Sequence, residues 1–288
     1  MKKFPLYGWL GILLVIVFWY LNWSLQGLRT QWGFFFLWFG YALTVDGIVA
    51  KRKGSSLIQR SVKKYFLLFL ISSPAWWLFE LLNVFTNNWR YMGREYFTSM
   101  QYFLLASLSF STVMPSVFGT AELISTFKWA KGIIVKKSFR INRSSIKKYF
   151  IAGWIILLLI IILPEYFYYM VWIALFFIID PVNYWLGNKS LMRYAEAGDW
   201  YPFLALAAGS LICGFFWDMW NYYSYPKWIY NLPFLNFAHI FEMPVLGYIG
   251  YIPFSFELFA IYNLVTSTKA GRNEGFILEI NNDQNKHG

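Results

Sequence analysis

Charge is scarce in this 288-residue chain. Only 14% of its residues are Asp, Glu, Lys or Arg, where soluble domains carry roughly a quarter. With 58% of the residues hydrophobic, too few polar groups remain to coat a water-facing surface. Cysteine is scarcer still. The single one, Cys213, sits in an apolar run, which excludes a disulfide framework, a CxxC pair and an iron–sulfur cluster within the chain. Two histidines, His239 and His287, do not suffice for paired haem ligation or a histidine-rich iron site. The sequence also lacks a Walker A loop, GxGxxG, GxSxG, an aspartate-rich diphosphate–magnesium motif and any cluster of metal-ligating side chains. No cofactor and no metal are therefore expected. No small-x-small cleavage site follows the first apolar stretch, so that stretch reads as a retained span.

What the chain has in abundance is long apolar runs and aromatic rings. Aromatics make up 23%, with 16 Trp, and Trp and Tyr concentrate where an apolar body meets the headgroup region. Crossing the hydrocarbon core as helix takes roughly 20 apolar residues. Candidate spans fall near 5–24, 33–50, 65–85, 98–124, 149–164, 166–182, 201–222 and 239–265. The fifth and sixth share one apolar run broken only by Pro164-Glu165; a tight hairpin is inferred there, because a single helix would be far too long. The expected fold is all-α, a polytopic membrane bundle of about eight helices.

The 25 Lys and Arg outnumber the 14 Asp and Glu, and their distribution is informative. With both termini in the cytoplasm, only Arg29, Arg90, Arg94 and Lys227 fall on the outer side. The rest collect in 51–64, 126–148, 181–200 and the two ends, as the positive-inside rule requires. The chain is accordingly expected in the cytoplasmic (inner) membrane with both termini cytoplasmic. The basic loops then serve as topology signals that touch anionic lipid, and no nucleic-acid partner is needed to explain them.

The sequence also repeats itself. Lys2-Lys3 followed by Gly8-Trp9 matches Lys147-Lys148 followed by Gly153-Trp154. Trp38, Asp46, Ser56 and Leu57 match Trp172, Asp180, Ser190 and Leu191 without a gap. Glu80 and Asn83 match Asp218 and Asn221; Trp89 and Tyr91 match Trp228 and Tyr230. Met114-Pro115 and Glu122 pair more loosely with Met243-Pro244 and Glu257. The order of these blocks points to a parallel tandem repeat of two four-helix units, 1–134 and 135–268, joined by a basic linker at 126–148 and followed by a polar cytoplasmic tail, 269–288. An even number of helices per unit sends both copies into the membrane in the same sense.

Ionisable groups inside a bilayer cost a few kcal/mol each, so they need a reason. Topology sorts the acids into two layers. Glu80, Asp218 and Glu242 lie toward the outer ends of the third, seventh and eighth spans; these are the candidate catalytic groups. Asp46, Asp180, Glu122 and Glu257 form an inner layer. An acid at i and Asn at i+3 share a helix face, so Asn83 and Asn221 sit beside Glu80 and Asp218. Trp89, Tyr91, Trp228 and Tyr230 follow in external loops that could fold back as a lid, and with the two asparagines they form the candidate substrate-binding set. A carboxyl in an apolar aromatic pocket is suited to proton donation at neutral pH, and ring faces can stabilise a developing cation. Glu242-Met243-Pro244 reads as an acid beside a proline break in the last helix. Each set has a plain structural alternative as helix–helix bonds or interface anchors.

Three functions stay open on these residues. The first is an enzyme acting on an apolar lipid or isoprenoid by carboxyl acid–base chemistry, of cyclase or isomerase type. Its plan is similar to that of integral-membrane terpenoid and carotenoid cyclases, which lack cofactor motifs and use membrane acids. The duplicated Pro-x-Glu-Glu signature of membrane lycopene cyclases is absent, so no family is assigned. The second is a transporter or channel for a small solute, proton or cation. The third is a structural or assembly subunit. The expected partner is a membrane lipid or hydrophobic small molecule, with membrane-protein partners or a second copy admitted.

Overall fold

In a computed structural model of the chain, residues 3–25, 27, 31–127, 143–267 and 276–278 are described. The molecule is mostly helical, and eight helical spans are long and apolar enough to cross a membrane. In chain order the helices are α1 (Leu6–Ser24), α2 (Gly33–Lys53), the short α3 (Leu57–Arg60), α4 (Val62–Thr86), α5 (Ser99–Phe110) and α6 (Val113–Ser125). There follow α7 (Arg143–Ile162), the single turn α8 (Pro164–Phe167), α9 (Val171–Leu186), the short α10 (Leu191–Glu196), α11 (Tyr201–Tyr222) and α12 (Tyr251–Thr266). The fourth span joins α5 and α6, the sixth joins α8 and α9, and the eighth begins in a 3-10 turn at Val245.

Local chemistry sets these boundaries. Gly54 and Gly187 end α2 and α9 in the left-handed conformation, at φ 77° and 79°, where a Cβ would be strained. Ser56 and Ser61 cap α3 and α4 by accepting the amides of Gln59 and Lys64. Thr98 and Gln101 form a reciprocal capping box at the start of α5. The break between α5 and α6 is bridged from a neighbour: Ser72 Oγ donates to the Phe110 carbonyl at 2.6 Å and accepts the Met114 amide at 3.0 Å. Proline makes the hairpin between α7 and α8. Helix α7 stops at Ile162, Pro164 opens the next turn, and α9 returns packed along α7.

Packing is set by small residues. A Cβ on Gly11 of α1 would come within 2.6 Å of the Thr44 backbone on α2, and one on Gly153 of α7 within 2.9 Å of the Phe177 backbone on α9. Close backbone approach of this kind drives helix association in lipid, where the hydrophobic effect between helices is lost. Helices α1 and α7 are the outermost, each with only 17% of its most apolar stretch buried. Leu6, Ile16, Leu158 and Ile162 are exposed along them, a disposition that hydrocarbon accommodates and water does not.

The interior is aromatic. Trp38 and Trp220 are completely enclosed, with Trp38 against Trp217 and Tyr41 at ring distances of 5.0 Å. Two features add to the expected all-α bundle. Strands β1 (Trp89–Met92) and β2 (Lys227–Tyr230) pair antiparallel in the register Trp89↔Tyr230, Arg90↔Ile229, Tyr91↔Trp228 and Met92↔Lys227. A second pair, β3 (His239–Ile240) with β4 (Met243–Pro244), lies in the following loop.

That second pair corrects one reading of the sequence. Glu242 and Pro244 precede the last span, which runs Val245–Thr266 and not from 239. Three residues of the tail are described. Phe276, Ile277 and Leu278 are buried in the core, so the segment beyond 268 is not wholly polar and solvated. Most of the basic linker, and His287, lie outside the described residues; Lys147 and Lys148 fall on α7 itself.

Candidate functional site

The end of the bundle that carries β1 and β2 holds a cavity of about 180 Å³ between helices of both halves of the chain. Its deep wall is made by Trp76 of α4, Phe110 of α5, Trp172 of α9, Trp217 of α11 and Tyr251 of α12, with Trp89, Tyr91, Trp228 and Tyr230 supplied by the strand pair. Arg94, Lys227 and Gln31 line it as well. The walls are tightly stacked: Trp89 lies over Trp172 at 5.5 Å and 23°, and Phe254 closes behind Trp172 at 5.5 Å.

Glu80 and Asp218 stand one layer behind this wall and are not among its lining residues. One oxygen of Glu80 accepts three donors, the indole N–H groups of Trp76 and Trp89 at 2.9 Å each and the Tyr91 hydroxyl at 2.6 Å. Asp218 is fully buried. It accepts the Tyr230 hydroxyl on Oδ1 at 2.9 Å and the Tyr251 hydroxyl on Oδ2 at 3.1 Å. The Trp228 indole N–H donates to the Tyr230 hydroxyl at 2.8 Å. Among the described residues no Lys or Arg is ion-paired with either acid.

Asn83 and Asn221 have a different task from the one their i+3 spacing suggested. Each clamps the start of a strand through its backbone. Asn83 donates to the Trp89 carbonyl at 2.8 Å and accepts its amide at 3.3 Å. Asn221 makes the same pair with Trp228 at 2.7 and 2.9 Å. The asparagines therefore fix the strands that present the rings, and do not line the cavity. Burial pushes the Tyr91 and Tyr230 phenols well above their ordinary value, and the acid beside each adds to the effect. Both hydroxyls thus remain donors across the neutral range.

Glu242 is not part of this carboxyl–aromatic cluster. It forms an ion pair with Lys227 and meets the cavity only through that residue. Sequence reasoning missed Trp76, Trp172, Trp217 and Tyr251. Trp76 was accessible in principle, since it lies four residues before Glu80 and hence on the same helix face. Trp172 had been paired with Trp38 as a repeat marker, with no signal that it faces a cavity.

The four remaining acids are placed separately. Asp46 accepts Ser56 Oγ at 2.6 Å, Tyr7 OH at 2.8 Å and the Ile58 amide at 3.1 Å. Asp180 accepts Ser190 Oγ at 2.8 Å and the amides of Leu191 and Met192 at 3.0 and 2.9 Å. Both tie the end of a spanning helix to the short helix that follows. Glu122 accepts Arg60 Nη2 at 2.6 Å and the Leu278 amide at 2.7 Å, with Lys53 at 3.7 Å. Arg60 in turn donates from Nε to the Phe276 carbonyl at 3.1 Å. Glu257 lies near the middle of the last span. It accepts the Leu175 amide at 2.9 Å, and its other oxygen makes no hydrogen bond among the described residues.

Among the described residues no group of three or more His, Cys, Asp or Glu is placed to hold a metal. Comparison of the chain with known protein families, curated proteins and solved structures finds no match.

Proposed function

We propose that this integral membrane protein takes an apolar lipid or isoprenoid group into the aromatic cavity and acts on it by acid–base chemistry, with Glu80 and Asp218 working through the tyrosines in front of them. The observation that carries the reading is a ring-walled cavity whose phenol and indole donors are held from behind by two membrane-embedded acids. A proton on either carboxyl has a hydroxyl relay toward the cavity, through Tyr91 from Glu80 and through Tyr230 or Tyr251 from Asp218.

Size narrows the ligand. A cavity of roughly 150 Å³ lined by apolar side chains holds one benzene, so about 180 Å³ suits one ring or one short branched unit. A longer molecule would place its reacting end here and leave the rest of its chain in the bilayer.

The reading includes a tandem origin for the two halves. Asp46, Ser56 and Ile58 and their counterparts Asp180, Ser190 and Met192 make like bonds at a constant spacing of 134 residues. The strand register supports it too, because Trp89 faces Tyr230 while Tyr91 faces Trp228. That exchange is what a two-fold axis imposes on like segments. On this reading the axis runs along the membrane normal, the cavity lies near it, and the sparse basic residues place the strand end on the outer side.

The test is extraction of the purified protein followed by mass spectrometry of the co-purifying lipids, then turnover of the identified lipid. Loss of turnover by a hundredfold or more in Tyr91→Phe or Tyr230→Phe, with the lipid still bound, is expected. Unchanged turnover in those variants and in Glu80→Gln and Asp218→Asn would remove these groups from the chemistry.

A further inference from the structure

The cavity combines three properties that no neutral hydrocarbon needs at once. Most of its lining residues are aromatic, and they come from both halves of the chain. The polar hydrogens of five wall residues, Trp76, Trp89, Tyr91, Tyr230 and Tyr251, are spent behind the wall on the two acids. And those acids come from different helices, Glu80 from α4 and Asp218 from α11, without an ion-paired Lys or Arg among the described residues.

Each property favours positive charge inside. A ring face carries the negative lobe of the aromatic quadrupole and attracts a cation within about 6 Å of its centroid. A phenol or indole that donates to a carboxyl group is polarised by it, which leaves the ring richer in electrons. Strongly hydrated ions are ill served here, because the wall is mainly aromatic and the Tyr91, Tyr230 and Tyr251 hydroxyls are already engaged with the acids, which leaves little oxygen to replace their water. A weakly hydrated, bulky cation loses little water and meets the aromatic rings that make up most of the lining. The protein already places its own cations against neighbouring rings: the Arg94 guanidinium lies 4.6 Å from the Tyr102 centroid, and the Lys227 ammonium 5.4 Å from that of Tyr222.

We infer that the group held in this cavity is a weakly hydrated cation. It is either a quaternary ammonium carried by a lipid headgroup or the positive centre that develops when an apolar substrate is protonated. This inference deepens the reading of the cavity as the ligand site and rests on it. Arg94 and Lys227 also line the cavity, but Arg94 is exposed and lies over the Tyr102 ring, and Lys227 is ion-paired with Glu242.

The experiment compares two probes of nearly equal shape, choline and 3,3-dimethylbutan-1-ol, which differ by a positive nitrogen in place of a neutral carbon. Binding to the full chain in maltoside detergent is measured by equilibrium dialysis. Choline is expected to bind at least tenfold more tightly than the alcohol. In the double variant Glu80→Gln, Asp218→Asn the choline affinity should fall at least tenfold while the alcohol is unchanged. Wild-type protein alone decides the matter if that variant does not fold. Equal or weaker binding of choline overturns the cation claim and leaves the apolar site standing. Failure of choline, the alcohol and a prenyl alcohol such as geraniol to bind removes both. To separate the two sources of charge, phosphocholine lipid is added. Retention by the purified protein assigns a headgroup; exclusion, with choline still bound, assigns a developing cation.

Discussion

Glu80 and Asp218 occupy similar places, near the ends of α4 and α11 and ahead of a paired strand, yet they are used differently. Glu80 gathers three donors onto one oxygen and is partly exposed. Asp218 spreads two phenols over both oxygens and is completely enclosed. Trp89 donates to Glu80 at 2.9 Å, whereas the Trp228 indole donates to Tyr230, which in turn donates to Asp218. The difference teaches that a hydrogen-bonded aromatic wall can be held by a partly exposed acid with three donors or by an enclosed acid with two.

The largest test of that comparison is removal of each acid. Asp218→Ala strands two buried phenols, each of which costs about 1–3 kcal/mol when left without an acceptor; a loss of about 3 kcal/mol is expected in detergent unfolding. Glu80→Ala frees three donors at a site open to partial hydration, and about 1.5 kcal/mol is expected. If Glu80→Ala proved the more costly, the number of donors and not burial would set the energy.

A smaller effect separates the two tryptophans. Trp89→Phe removes a direct bond to the acid and disturbs the stack on Trp172, so it should cost about 2 kcal/mol. Trp228→Phe leaves Tyr230 donating to Asp218 and should cost about 1 kcal/mol. Equal losses would mean that the relay bond matters as much as the direct one.

The smallest effect appears with pH. Burial holds the folded Tyr91 and Tyr230 phenols above the ordinary value, which is about 10 in an unfolded chain. Their contribution to stability is full below pH 10 and declines as pH rises above it, because the unfolded chain ionises first. Melting temperature should therefore fall above pH 10, and less steeply in Tyr91→Phe. A variant that loses stability with the same slope would place the titration elsewhere.

Much of this arrangement was legible in the residues. Eight spans, the break at Pro164 and the clustering of Glu80 with Trp89 and Tyr91 follow from run length, proline chemistry and spacing. The pairing of β1 with β2 does not, since Trp-x-Tyr flanked by polar residues reads equally well as an interface anchor. Residues 239–244 read as the start of the last helix because Ile240, Phe241 and Met243 are as apolar as a span; hydropathy cannot distinguish a packed loop from a helix. The contact made by the tail is hidden for the opposite reason. Phe276-Ile277-Leu278 is three apolar residues in a polar stretch, too short to register in a window sized for the bilayer, yet enough to fill a slot beside Arg60.

That slot ties distant parts of the chain together. Arg60 and Phe276 are 216 residues apart in sequence, and Glu122 takes the Leu278 amide from the same short segment. A change that unseats Phe276–Leu278 would therefore take a backbone donor from the buried Glu122 carboxylate and slacken α3 against α6 in a single step.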